Sequence, residues 1–350
     1  MRGLRYLALA LACALMTTPA LAAKGPDKKA DKKAATAHAQ AMIAFQRDLV
    51  SVVAPRADAA PLLGAALLAR PLPNQPKYND FHTLIDRAAA ADPANAAVSW
   101  VRLSDCDAKA DTCPNADAVA KLRDQAPDNA AVWMLQLGID QHDNKDKAAR
   151  EDLAKAANAK LYDDYTGAGL KAVADVVSTL PPPDNTLEPT MTAGPSGVQM
   201  LIAYSVIATA PQPGLQATAK LCEGAGSDES LRNDCLKLGR TLEWGSSPLA
   251  RSLGLHLREV LSTDTTQQDD AKRQRRNLIW QVQNFAALST RAPTDKALSQ
   301  HLLALARNGG TEMSVVLAAM RDYSIPMEAP KEEAAPTAPA PAPAPASTVP

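Results

Sequence analysis

Two six-residue stretches set 34 positions apart constrain the fold more than any other feature of this chain. Pro93, Ala94, Asn95, Ala96, Ala97 and Val98 recur as Pro127, Asp128, Asn129, Ala130, Ala131 and Val132. Proline stops a helix because its ring clashes with the preceding turn and it has no amide hydrogen to donate. Asparagine then caps the next helix, and small residues at its start let two helices approach closely. Recurrence at a period of 34 predicts helix pairs that bury their apolar faces by stacking on one another.

Composition points the same way. Aromatic residues make up only 4% of the 350 positions and glycine only 16 of them, while Ala and Leu dominate. Ala and Leu lose little conformational freedom in a helix, and the usual strand formers are scarce, so an all-α fold is expected.

Around the repeated stretches the chain resembles the tetratricopeptide repeat family. In the second copy Trp133 falls at the first large aromatic position, Ala149 at the helix B alanine 16 residues on, and Leu153 and Ala156 at the next packing positions. In the first copy Trp100 stands one place late, and Val119 and Leu122 fill the helix B positions before Pro127. Asp80 to Asp92 looks like the helix B of a preceding unit, with Pro61 to Leu68 as its helix A. The departures are a glycine displaced to Gly138, extra polar residues between Cys106 and Cys113, and a third copy that decays into Asp163, Asp164 and Tyr165. The resemblance implies an irregular α-helical repeat of helix hairpins over residues 41–180, with Trp100, Trp133, Ala149, Leu153 and Ala156 in its core.

Five prolines between 181 and 196 predict a linker, followed by a helical C-terminal region over 197–325. Val198 to Ala210 is apolar almost all round and predicts a fully buried helix. A hairpin is expected from Ser230 to Leu242 and Pro248 to Leu261, then an amphipathic helix from Gln267 to Leu288 and short helices near Asp295 to Arg307 and Thr311 to Asp322. Residues 326–350 alternate Pro and Ala and predict an extended, disordered tail; residues 23–40 are lysine-rich and predict a polar, flexible leader.

The first residues carry Arg2 and Arg5, an apolar run of 11 residues from Tyr6 to Met16, and Ala20, Leu21 and Ala22. This pattern predicts a signal peptide over 1–22, and the run is too short to span a bilayer, which takes about 20 residues. The mature protein is then periplasmic or secreted without stable membrane insertion; lipidation at Cys13 is the alternative. Losing Arg2 and Arg5 from 37 basic residues leaves 35 against 38 acidic ones, a charge of −3, which gives no global field for nucleic acid.

Cys106, Cys113, Cys222 and Cys235 remain after processing, and an even number in an oxidising compartment predicts two disulfides, preferably the local pairs 106–113 and 222–235. No C-x-x-C motif and no nearby histidine suggests a metal or redox site. His256 and Glu259 form an H-x-x-E better explained as a surface pair, and Asp105, Asp107 and Asp111, like Asp143, Asn144 and Asp146, fall short of a calcium loop. Lys272, Arg273, Arg275 and Arg276 follow Asp269 and Asp270 and suit a solvated helix face.

No catalytic, cofactor-binding or metal motif is expected. The anticipated function is a noncatalytic cell-envelope scaffold that binds a protein or peptide on a concave helical surface. The alternative is an enzyme or accessory domain of peptidoglycan metabolism, by analogy with lytic transglycosylases that carry a helical superhelix. The exported protein should have an intact mass lacking about the first 22 residues and four blocked thiols; four free thiols in the native protein would overturn the disulfide reading.

Overall fold

The computed structural model describes residues 28–103, 116–209 and 214–330, and among them the regular structure is helical. The helices are α1 (Lys28–Val53), α2 (Ala59–Ala69), α3 (Phe81–Ala91), α4 (Ala96–Arg102), α5 (Ala116–Gln125), α6 (Ala130–His142), α7 (Asp146–Asn158) and α8 (Thr166–Val177). They continue with α9 (Pro195–Ala208), α10 (Leu215–Glu223), α11 (Glu229–Leu242), α12 (Pro248–Leu261), α13 (Thr265–Arg291), α14 (Lys296–Asn308) and α15 (Glu312–Asp322). Among the described residues, Asn129 and Leu161 form one isolated parallel bridge.

The repeat lays down hairpins α2/α3, α4/α5 and α6/α7. Its asparagines do the local work that their position predicts. Asn95 Oδ1 accepts from Val98 N at 3.2 Å at the start of α4, and Asn129 Oδ1 accepts from Ala131 N at 3.1 Å at the start of α6. The repeat prolines end their helices and turn their carbonyls to the next unit: Gln125 Nε2 donates to Pro93 O at 2.7 Å, and Trp133 Nε1 to Pro127 O at 2.7 Å.

Beyond α7 the chain reverses. Helix α8 packs on α2, α10 packs on α6, and α11 packs on α7, so the first helix of the first and third hairpins carries a later part of the chain. Later helices therefore cover the first helix of each of these two hairpins. Gly64 permits the approach of α8 to α2, since a Cβ there would stand 2.3 Å from Ala172 O and 2.7 Å from Val176 Cγ2. With α1, α3 and α8 around it, α2 is buried without interruption from Leu62 to Ala69.

Two large cores result, and each draws on both sides of residues 181–196. The first joins Phe45, Leu62, Leu84 and Val98 to Val173, Ile202, Leu298 and Ala319. The second joins Trp100, Met134, Leu153 and Ala156 to Cys222, Cys235, Leu238 and Leu257. A smaller third core gathers Leu255, Leu278, Met313, Val316 and Met320. The segment 181–196 is thus no boundary between domains. It is held at several points, Thr186 being fully buried, Ala193 N donating to Pro293 O at 3.1 Å, and Pro195 already opening α9.

The inner bounds of two expected segments shift, and one expected helix is less buried than its sequence implies. The leader assigned to 23–40 is helical from Lys28, because the polar run is rich in Ala and Lys and is continuous with the buried half of α1; its side chains from 32 to 37 are exposed. Of the segment assigned to the tail, Pro326 to Ala329 lie bonded against α13. Helix α9 is buried on most sides but leaves Leu201 42% exposed. The signal sequence, the Cys106–Cys113 pair and residues 331–350 lie outside the described residues.

The Cys222–Cys235 disulfide is present, joining α10 to α11 with Cα atoms 5.7 Å apart inside the second core. Closing so short a loop stabilises the fold by about 3 kcal/mol in the chain-entropy account. Among the described residues no helix is long and apolar enough to cross a membrane.

Gly64→Ala tests the reversal. Alanine in a helix interior ordinarily gains about 1 kcal/mol over glycine. Here its Cβ would force α2 and α8 apart, so a net loss of about 1–3 kcal/mol is expected in urea unfolding, and a gain would show that the approach is not tight.

Candidate functional site

A buried polar cluster begins at Asn129, which is 3% exposed. Besides capping α6, its Oδ1 accepts from Asp163 N at 2.9 Å, and its Nδ2 donates to Asp163 O at 2.7 Å and to the Tyr165 hydroxyl at 3.2 Å. Asp163 stands 34 residues after Asn129, so equivalent positions of successive repeats are bonded to one another. Asp163 Oδ1 accepts from Tyr165 N at 2.8 Å, Tyr165 takes a left-handed φ of 54°, and α8 starts at once.

Asp164 carries the cluster inward. It is 2% exposed; its Oδ1 accepts from Ser246 Oγ at 3.0 Å and from Thr166 N at 3.2 Å. Ser246 N donates to Tyr162 O at 3.1 Å, and Ser246 O accepts from Met313 N at 2.9 Å. Three connections, α7 to α8, α11 to α12 and α14 to α15, therefore meet at one junction. Tyr165 also packs on Trp100, with ring centroids 5.9 Å apart.

Burial governs the ionisation here. It raises the Asp163 carboxyl, with neighbouring Asp164 adding to the effect, and raises the Tyr162 and Tyr165 hydroxyls. Glu312, in the first turn of α15 beside Met313, is pushed up from 4.5 to about 7, first by burial and then by the charge of Asp164. Asp164 Oδ2 finds no hydrogen-bond partner among the described residues. Glu312 can therefore hold a proton close to neutrality, beside an enclosed Asp164.

Elsewhere the predicted candidates resolve into packing and ion pairs. Trp100, Ala149, Leu153 and Ala156 are buried in the second core; Trp133 lies at its margin, half-buried, with Lys155 Nζ 4.7 Å above its ring. The H-x-x-E pair is split, His256 facing Glu223 at 3.6 Å and Glu259 facing Arg275 at 2.7 Å. Asp143 pairs with Lys145 at 2.7 Å in the α6–α7 turn, while Asp105, Asp107 and Asp111 lie outside the described residues. In the basic run Lys272 pairs with Asp269 and Arg273 with Asp270. Among the described residues no group of three His, Cys, Asp or Glu side chains is placed to hold a metal ion.

The outside of the junction differs from its inside. In the α11–α12 connection Ser246 and Ser247 point inward and are buried, while Trp244 is 76% exposed and Leu249, in the first turn of α12, 60% exposed. By sequence Asp163 to Tyr165 are the decaying third copy of the repeat. The recurrence of the 34-residue step at Asp163 was the signal for the junction. Comparison with family models, with curated proteins and with solved structures gives no match.

The junction makes stability depend on pH. Glu312 binds its proton more tightly in the folded protein than in the unfolded chain, so its contribution is fully favourable below about 4.5 and falls as the pH rises through about 7. Glu312→Gln keeps the shape and removes the charge. Relative to the parent it should be near neutral at about pH 5 and more stable by about 1–3 kcal/mol at about pH 8, measured by urea unfolding at both. Equal effects at the two pH values would remove the carboxyl from this role.

Proposed function

We propose that the mature protein is a noncatalytic scaffold of the cell envelope that binds a protein partner, and that Trp244 and Leu249 form part of the contact surface. The observation that supports this is an indole 76% exposed on a connection whose inner side is immobilised by Ser246 and Ser247. A large aromatic held on a rigid turn loses little freedom on binding and is a favoured anchor at protein interfaces. The expected export signal and the Cys222–Cys235 disulfide agree with an oxidising compartment. Because α8 and α10 cover the first helices of two hairpins, binding is assigned to the outer surface rather than to a repeat groove.

A photo-reactive residue placed in vivo at position 244 or 249 should give one reproducible protein adduct. The same residue at Lys147, whose side chain is 95% exposed on α7, should not. Equal labelling from all three positions would remove this surface from the proposal, and clearing of peptidoglycan by the purified protein would replace the noncatalytic reading altogether.

A further inference from the structure

Of ten buried side-chain atoms left without a hydrogen-bond partner among the described residues, three lie at the junction where the α7–α8, α11–α12 and α14–α15 connections meet. They are the Tyr162 hydroxyl, Asp164 Oδ2 and Ser247 Oγ. Tyr162 is 4% exposed and Ser247 fully buried. A buried polar atom with no partner has lost its hydration for nothing in return, and three that lie together have one explanation if they share a ligand.

The surrounding hydrogen bonds hold these atoms to one place. Tyr162 O accepts from Ser246 N at 3.1 Å, and Ser246 Oγ donates to Asp164 Oδ1 at 3.0 Å, so residues 162 and 164 are fastened to the 246–247 turn. The Tyr162 hydroxyl lies beside Ser247 and within the field of Asp163, Asp164 and Glu312. Met313 N donates to Ser246 O at 2.9 Å, which brings Glu312 alongside, and the Glu312 carboxyl feels the charge of Asp164.

The chemistry of the cluster selects its ligand. All the donor atoms are oxygens, from two carboxyls and two hydroxyls, and the charges acting on Tyr162 and Glu312 are those of carboxyls, with no lysine or arginine among them. Enclosed carboxylates demand a counter-charge, and carboxylate and hydroxyl oxygens suit a hard cation. A calcium ion ordinarily draws on more carboxylates than this, and no third acidic ligand is placed here among the described residues. A water molecule would answer the hydroxyls and leave the charge unanswered.

We propose that the junction is a binding site for one alkali cation, sodium or potassium, ligated by Asp164 Oδ2, the Tyr162 hydroxyl and Ser247 Oγ, with the Glu312 carboxyl completing the charge. The site goes beyond the partner-binding reading and does not depend on it. Because Ser247 belongs to the connection that carries Trp244, the bound ion stiffens the base on which the exposed indole stands.

Urea unfolding of the full chain at about pH 8, in sodium, potassium or choline chloride at one ionic strength, tests the site. An ion bound only by the folded protein lowers the unfolding constant about tenfold for each tenfold rise in its concentration above the dissociation constant. That response is expected as an alkali salt replaces choline, and the stronger of the two names the ion. Tyr162→Phe removes one ligand oxygen and keeps the ring. In choline it should match or exceed the parent, because an unpaired hydroxyl is gone, whereas its dissociation constant for the cation should rise about tenfold or more. Glu312→Gln should keep in choline the advantage described above and lose it in the alkali salt. Equal unfolding of the parent in all three salts overturns the proposal. A cation response that both substitutions leave unchanged also overturns it, by placing the ion elsewhere. Neither result bears on cross-linking at Trp244.

Discussion

Both ends of the Asn129 amide are committed inside the protein: the oxygen to the backbone amides of Ala131 and Asp163, the nitrogen to the Asp163 carbonyl and the Tyr165 hydroxyl. A buried amide left without partners costs roughly 1–3 kcal/mol, so a fully satisfied one selects a single arrangement of the segments around it. That arrangement fixes where α7 ends and α8 begins. Since α8 leaves the junction to pack on α2, the reversal of the chain and the sharing of both cores between its halves descend from this contact.

Much of the helix plan was legible because it is written locally. The α11/α12 hairpin, α13, α14 and α15 lie close to where apolar spacing and turn residues placed them, and Asn95 and Asn129 cap as their sequence context demands. The failures share a cause. Residues 181–196 look like a linker by composition, yet they are held by Pro293 and Thr294, a hundred residues away in the chain. Lys28 to Gln40 looks like a leader because its polarity gives no packing signal, although its helix continues into the core at Phe45. The junction was half visible: Asp163 obeys the repeat step, but the approach of Ser246 and Glu312 is tertiary and no local pattern announces it.

The junction and the segment after α15 divide polar and apolar groups in opposite ways. At the junction serines and carboxyls are inside and an indole is outside; after α15 Ile325 and Met327 are partly buried and Pro326 and Glu328 face water. Interior polar groups position a connection by hydrogen bonds that work in one geometry only, whereas apolar contacts tolerate substitution and small shifts.

The first core has a consequence for how the chain comes to be folded. It needs Phe45 and Leu49 near one end and Leu302 and Val315 near the other, so its last walls are supplied by the last helices to be made. Contacts so distant in sequence form slowly, because the chain between them must be ordered before they repay the loss of entropy. An incomplete chain lacking α14 and α15 leaves Val173 and Ile202 without part of their cover. Closure of the first core is thereby deferred until the polypeptide is nearly whole.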